Sequence, residues 1–86
     1  MTTIKIALLG FGTVAQGTFN LLQDNAELIK NRTGVNVEIS KIYVRNPEKY
    51  SHITLPETAQ YVTNIDDVLQ DENIQMVVEL MGGTTF

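Results

Sequence analysis

The chain has 86 residues, 43% of them hydrophobic and 19% charged, with a formal net charge of −4 and no cysteine. That is the composition of an ordinary soluble globular chain with a modest core, and it excludes disulfide staples, thiolate catalysis and cysteine-based metal sites. It also argues against a nucleic-acid partner, which needs clustered cations where this chain has only six Lys and Arg, scattered along its length.

Met1-Thr2-Thr3 leads straight into a strand with no basic signal region, and every apolar run is strand-sized. No membrane partner is predicted, and the missing cysteines fit a reducing, cytoplasmic setting. The first strand, Ile4 to Leu9, is apolar on both faces except at Lys5, the pattern of a central strand in a covered parallel sheet. It runs into Gly10-Phe11-Gly12-Thr13-Val14-Ala15, a G-x-G-x-x-A turn. Gly10 permits a tight exit, Gly12 lets a pyrophosphate approach the backbone, and small Ala15 allows close helix–strand packing. N–H groups around Gly12, Thr13 and Val14, aided by the helix dipole, would face the phosphates. A glycine turn that serves packing alone is the competing account; the buried strand before it and the helix after it favour the nucleotide.

A long helix is predicted from Thr13, with Val14, Thr18, Leu21, Leu22, Leu28 and Ile29 at helical spacing and Gly34 as its stop. The second strand runs from Val35 to Val44: Val35, Val37 and Ile39 alternate with polar residues, then Ile42-Tyr43-Val44 is continuous. Arg45-Asn46-Pro47 breaks it. NAD-binding chains often place an acid here for the ribose hydroxyls, whereas an arginine suits the extra phosphate of NADP. Arg45 is therefore the candidate for the 2′-phosphate, with Asn46 and Lys49 as helpers; a solvated loop arginine is the alternative.

A short helical turn at 47–50, a loop at 52–57, a third strand at Tyr61-Val62-Thr63 and a short helix from Asp66 to Gln70 follow. Tyr43, Tyr50 and Tyr61 are expected to pack. The fourth strand, Met76 to Met81, ends on Gly82-Gly83, which with Thr84 would line the nicotinamide half of the cofactor. Glu79, inside that apolar strand, is expected to be a satisfied structural carboxylate. His52 lies alone in a polar loop, so no metal site is assigned. The sum is an α/β, Rossmann-like, doubly wound parallel sheet, incomplete, with strand order 3-2-1-4 and its switch point between strands one and four. An incomplete sheet leaves the fourth strand's outer edge unpaired, from which a homo-oligomer is expected.

Three stretches, Ile6-Ala7-Leu8-Leu9-Gly10-Phe11-Gly12-Thr13-Val14, Tyr43-Val44-Arg45-Asn46 and Val77-Val78-Glu79-Leu80-Met81-Gly82-Gly83-Thr84, resemble the N-terminal nucleotide-binding region of homoserine dehydrogenases. The resemblance covers essentially the whole chain and is most specific in the last stretch. It implies an NAD(P)-dependent oxidoreductase interconverting homoserine and aspartate 4-semialdehyde, in the aspartate-derived route to threonine, methionine and isoleucine. Phe11, Gly12, Thr13 and Val14 carry over at the cofactor phosphates and ribose, Arg45 at the adenosine end, and Gly82, Gly83 and Thr84 near the nicotinamide. Ala15 stands where the family often has glycine, and is small enough to keep the packing. The family's catalytic lysines and substrate-binding acids belong to segments after Phe86. No catalytic residue is assigned here, and residues 1–86, the first part of a dinucleotide-binding domain, are expected to be inactive alone. Two alternatives use the same half-fold: a non-catalytic module that senses NAD or another adenine nucleotide, which usually keeps the acid that Arg45 replaces, and a different amino-acid-pathway dehydrogenase.

Overall fold

A computed structural model describes residues 2–80, and in it strand and helix alternate as β1 (Thr2–Leu9), α1 (Thr13–Thr33), β2 (Val35–Tyr43), a 3-10 turn (Pro47–Tyr50), β3 (Gln60–Val62), α2 (Asp66–Leu69) and β4 (Ile74–Glu79). The strands form one sheet in the order β3-β2-β1-β4, and every neighbouring pair is parallel. The expected topology is therefore the observed one. Gly82, Gly83 and Thr84 lie outside the described residues.

β1 is buried on both faces at its centre: Ile6 is 5% exposed, and Ala7 and Leu8 are fully covered. The main core lies on the face under α1, where Ile6, Leu8, Ile39, Ile42 and Val44 from the strands meet Phe11, Ala15 and Phe19. Burying side chains of this size stabilises the fold by about 1.5–3 kcal/mol each. The helix turns inward only part of the apolar set its spacing suggests, together with Ala15 and Phe19. Ala15 and Phe19 are buried and Leu22 is packed against them, while Val14, Leu21 and Leu28 are exposed. Both sets repeat every seven residues; they differ by one residue, or about 100° around the helix. The large ring of Phe19 and the small Ala15 decide which stripe faces the sheet. α1 stops at Gly34, whose φ of 74° suits glycine and whose N–H donates to the Lys30 carbonyl.

The break in β2's alternation is a bulge. Ile6 pairs with Ile39 but Ala7 pairs with Lys41, so Ser40 is the extra residue. The bulge resets the phase, and Ile42 and Val44 return to the face already occupied by Val37 and Ile39. β4 begins at Ile74, earlier than its apolar run implies. There too the register shifts: Lys5 pairs with Ile74 and Ile6 with Met76. The Gln75 side chain fills the gap by accepting from the Lys5 backbone N–H at 3.2 Å.

The sheet's other face carries α2. Cross-strand partners share a face, so Lys41 stands beside Ala7, away from α1. Its ammonium donates to the Asp67 carbonyl at 2.7 Å and pairs with Asp71 at 3.0 Å. Val68 of α2 is 2% exposed. The hydrogen bond from Lys41, then that from the Asn73 backbone N–H, holds the Asp71 carboxyl below the usual carboxylate range. A carboxyl lowered by folding contributes stability above its unfolded pKa, near about 4, and loses it as pH falls through the folded value. On acidification below about pH 4, α2 amides should therefore exchange hydrogen sooner than α1 amides. Lys41→Met should remove this acid dependence, leaving α2 equally loosened above and below that pH in a hydrogen-exchange series.

Candidate functional site

All four strands are parallel, so their carboxyl ends share one edge. Hydrogen bonds tie those ends together: the Gly10 N–H donates to the Tyr43 carbonyl at 2.8 Å, and the Leu80 N–H to the Leu9 carbonyl at 2.9 Å. β1 is flanked by β2 on one side and β4 on the other, and the chain enters each neighbour across opposite faces. A crevice outside the strand ends is the expected ligand position at such a switch point.

The glycine turn sits at that crevice. Gly10 has a φ of 100°, a conformation that resists any L side chain. Gly12 is the N-cap of α1, with φ −71° and ψ −167°, and no side chain caps the helix. The first intrahelical bond runs from the Gln16 N–H to the Gly12 carbonyl at 2.9 Å. The amides before Gln16 in the first turn therefore point out of the helix without intrahelical partners. Gly12, Thr13 and Val14 are exposed, and a Cβ placed on Gly12 would meet none of the described residues within 4 Å. No acid stands in the first turn to compete for these donors. Open amides at the positive end of a long helix, beside a backbone that a bulky anion can reach, fit the pyrophosphate of a dinucleotide.

Phe11 belongs to the turn differently from its neighbours. Its side chain is 1% exposed and lies in the core, edge-on to Phe19, Tyr50 and Tyr61 at centroid distances of 5.6, 5.5 and 5.9 Å. What it offers a ligand is its backbone. The Phe11 carbonyl is held by the Gln16 side-chain amide at 2.9 Å. Gln16 did not stand out in the sequence; a side-chain amide one helical turn past a glycine turn is the signal that could have found it. Tyr50 and Tyr61 pack as expected. Burial, then the neighbouring Tyr50, pushes the Tyr61 phenol above its ordinary pKa, so it stays protonated and donates to the Tyr50 backbone carbonyl at 3.3 Å.

Arg45 lies just past the end of β2, two residues beyond the carbonyl that Gly10 grips. It is exposed, and it makes no hydrogen bond or ion pair with any described residue. Asn46 and Lys49, also exposed, follow it around the 3-10 turn. Glu79 closes β4 opposite Leu9 in register. His52 is exposed, and among the described residues no group of three or more His, Cys, Asp or Glu could hold a metal ion. The turn and the Arg45 corner thus share one edge of the sheet.

Residues 10–86 match the family model for the NAD-binding domain of homoserine dehydrogenase. The homoserine dehydrogenase of Pseudomonas aeruginosa is 42% identical over 86 residues, 99% of this chain and 19% of that protein. That of Bacillus subtilis is 34% identical over 83 residues, 96% of this chain and again 19% of the relative. Among solved structures, the homoserine dehydrogenase of Thiobacillus denitrificans superposes with a TM-score of 0.80 at 40% identity, over 96% of this chain and 19% of that one. The S. aureus enzyme at pH 7.5 gives a TM-score of 0.85 at 28% identity, over 96% and 21% respectively. The chain therefore spans about a fifth of the length of the relatives it matches. These matches give no support to the nucleotide-sensing module weighed from the sequence.

Proposed function

The chain belongs to the family of homoserine dehydrogenase NAD-binding domains, and from that premise we propose that it is the dinucleotide-binding part of an enzyme that interconverts L-homoserine and L-aspartate 4-semialdehyde by hydride transfer. The observation that carries the reading is the open amino end of α1, uncapped, free of acids and, among the described residues, unobstructed at Gly12. Backbone N–H groups of Gly12, Thr13 and Val14, with the tight exit at Gly10 and the backbone of Phe11, would hold the phosphates. Gly82, Gly83 and Thr84 would stand at the nicotinamide side. The bound dinucleotide supplies the hydride chemistry; these residues bind and orient it. Hydride transfer also needs a substrate carbon at short range and an acid or base nearby. The residues for that are placed outside this chain, so the 86-residue chain alone should show no nicotinamide reduction above blank with homoserine and NADP. A measurable rate would overturn this.

NADP is the favoured cofactor because Arg45, exposed and without a side-chain partner among the described residues, can take a phosphate in bidentate fashion. Calorimetric titration of both dinucleotides tests this. Arg45→Ala should raise the NADP Kd about tenfold, the worth of a hydrogen bond to a charged group, and leave the NAD Kd unchanged. Equal NADP affinity after the substitution would remove the assignment. The same reading places the enzyme in the cytoplasm, in the aspartate-derived route to threonine, methionine and isoleucine. It also makes the enzyme a homo-oligomer, which sedimentation of the full-length polypeptide tests.

A further inference from the structure

From Arg45 to Ala59 the chain forms one 3-10 turn and otherwise loop, yet it is fastened to the phosphate turn within the segment and just after it. The fastening is aromatic. Tyr50 ends the 3-10 turn and Tyr61 lies in β3. Both rings stand edge-on to Phe11, at interplanar angles of 71° and 64°, and they lie 6.0 Å from each other. The Tyr61 hydroxyl bonds the Tyr50 backbone carbonyl. Phe11 is itself the residue between Gly10 and Gly12, seated against Phe19. One buried ring thus anchors both the open amides and the segment that begins with Arg45.

We propose that Tyr50 and Tyr61 are positioning residues for cofactor discrimination: through Phe11 they fix where Arg45 and the polar groups after it stand relative to the phosphate turn, and so set the preference for a dinucleotide with an extra phosphate on its adenosine ribose. This rests on the reading of Arg45 given above. An arginine on an unfastened loop must lose backbone as well as side-chain freedom when it grips a phosphate. Here Pro47 fixes φ two residues after Arg45, the Lys49 N–H donates to the Asn46 carbonyl at 3.1 Å, and the Ile53 N–H to the Tyr50 carbonyl at 3.0 Å. The rings hold that tightened segment on Phe11 with directional, edge-to-face contacts. Neither tyrosine needs to touch the cofactor.

The test is a set of Kd measurements for NADP and NAD on the full-length polypeptide, with circular dichroism confirming that each variant is folded. Tyr50→Leu should weaken NADP about three- to tenfold, the worth of an aromatic pair, and leave NAD unchanged. Tyr61→Phe should act in the same direction and less. Phe11→Leu, which disturbs the turn, should weaken both dinucleotides. Combined with Arg45→Ala, Tyr50→Leu should add nothing to the NADP loss. Tyr50→Leu that weakens both dinucleotides alike, or neither, while Arg45→Ala still acts on NADP alone, overturns this proposal and spares the Arg45 reading. Arg45→Ala without effect on the NADP-to-NAD ratio removes both. A parent protein that binds neither dinucleotide would remove the dinucleotide reading itself.

Discussion

Gly12→Val should leave the fold standing and abolish dinucleotide binding. The two halves of that expectation come from different features of one residue. The φ of Gly12 is −71°, which any L residue adopts, and a Cβ there meets none of the described residues within 4 Å. The described residues therefore leave room for the side chain, and among them only the modest helix-capping preference for glycine over valine is lost. A pyrophosphate has no such room. The isopropyl group would stand over the open first-turn amides and hold the phosphates away from them. Losing two charge-assisted hydrogen bonds is worth on the order of a hundredfold in Kd. Thermal melting by circular dichroism should show a small change, and calorimetry with NADP and with NAD should show little or no heat. Parental affinity in the valine variant would mean that the phosphates do not lie on this turn. Gly10 offers no comparable experiment: its φ of 100° strains any replacement, so fold and binding would fail together.

How much of this was legible in the sequence depends on the range of the interaction concerned. β1, the turn and the stop at Gly34 are local: an apolar run, two glycines and a left-handed residue declare themselves within a few positions. The strand order follows from them, because right-handed crossovers leave little choice. The inward stripe of α1 was not legible. Periodicity gives the repeat but not its phase, and Val14, Leu21, Leu28 repeat as well as Ala15, Leu22, Ile29. What selects between them is the sheet surface, built by residues far along the chain. The change of phase between Ile39 and Ile42 is visible in the sequence, but its cause, a single inserted residue at Ser40, shows only in the pairing with β1. The start of β4 was hidden because Ile74 pairs with Lys5 across a register shift that skips Gln75, which apolar alternation does not announce. The candidate site divides in the same way. The open amides could be read from G-x-G and a helix, but the side-chain amide of Gln16 on the Phe11 carbonyl, and the tyrosines on the Phe11 ring, are contacts that only the folded chain displays.

Phe11→Ala should cost more than any other single substitution at the turn, and the cost should appear as stability before it appears as binding. Phe11 is the largest fully buried side chain among the described residues. It meets three aromatic rings from three separate parts of the chain: α1, the 3-10 turn and β3. Truncation removes its burial and leaves a cavity that these elements cannot close without giving up their edge-to-face geometry, so the expected loss is about 3–5 kcal/mol. Domains of this size have about 5–15 kcal/mol in all. A change of that order lowers the melting temperature by tens of degrees. Phe11→Leu, which refills most of the volume, should recover more than half of the loss. Both are measured by thermal and denaturant unfolding, and the Leu variant that remains folded then reports on the turn. If Phe11→Ala melted within a few degrees of the parent, the ring would be dispensable to the core. The geometry of the phosphate turn would then be set by Gly10, Gln16 and the strand-end hydrogen bonds alone, and no link through Phe11 to the Arg45 segment could be sustained.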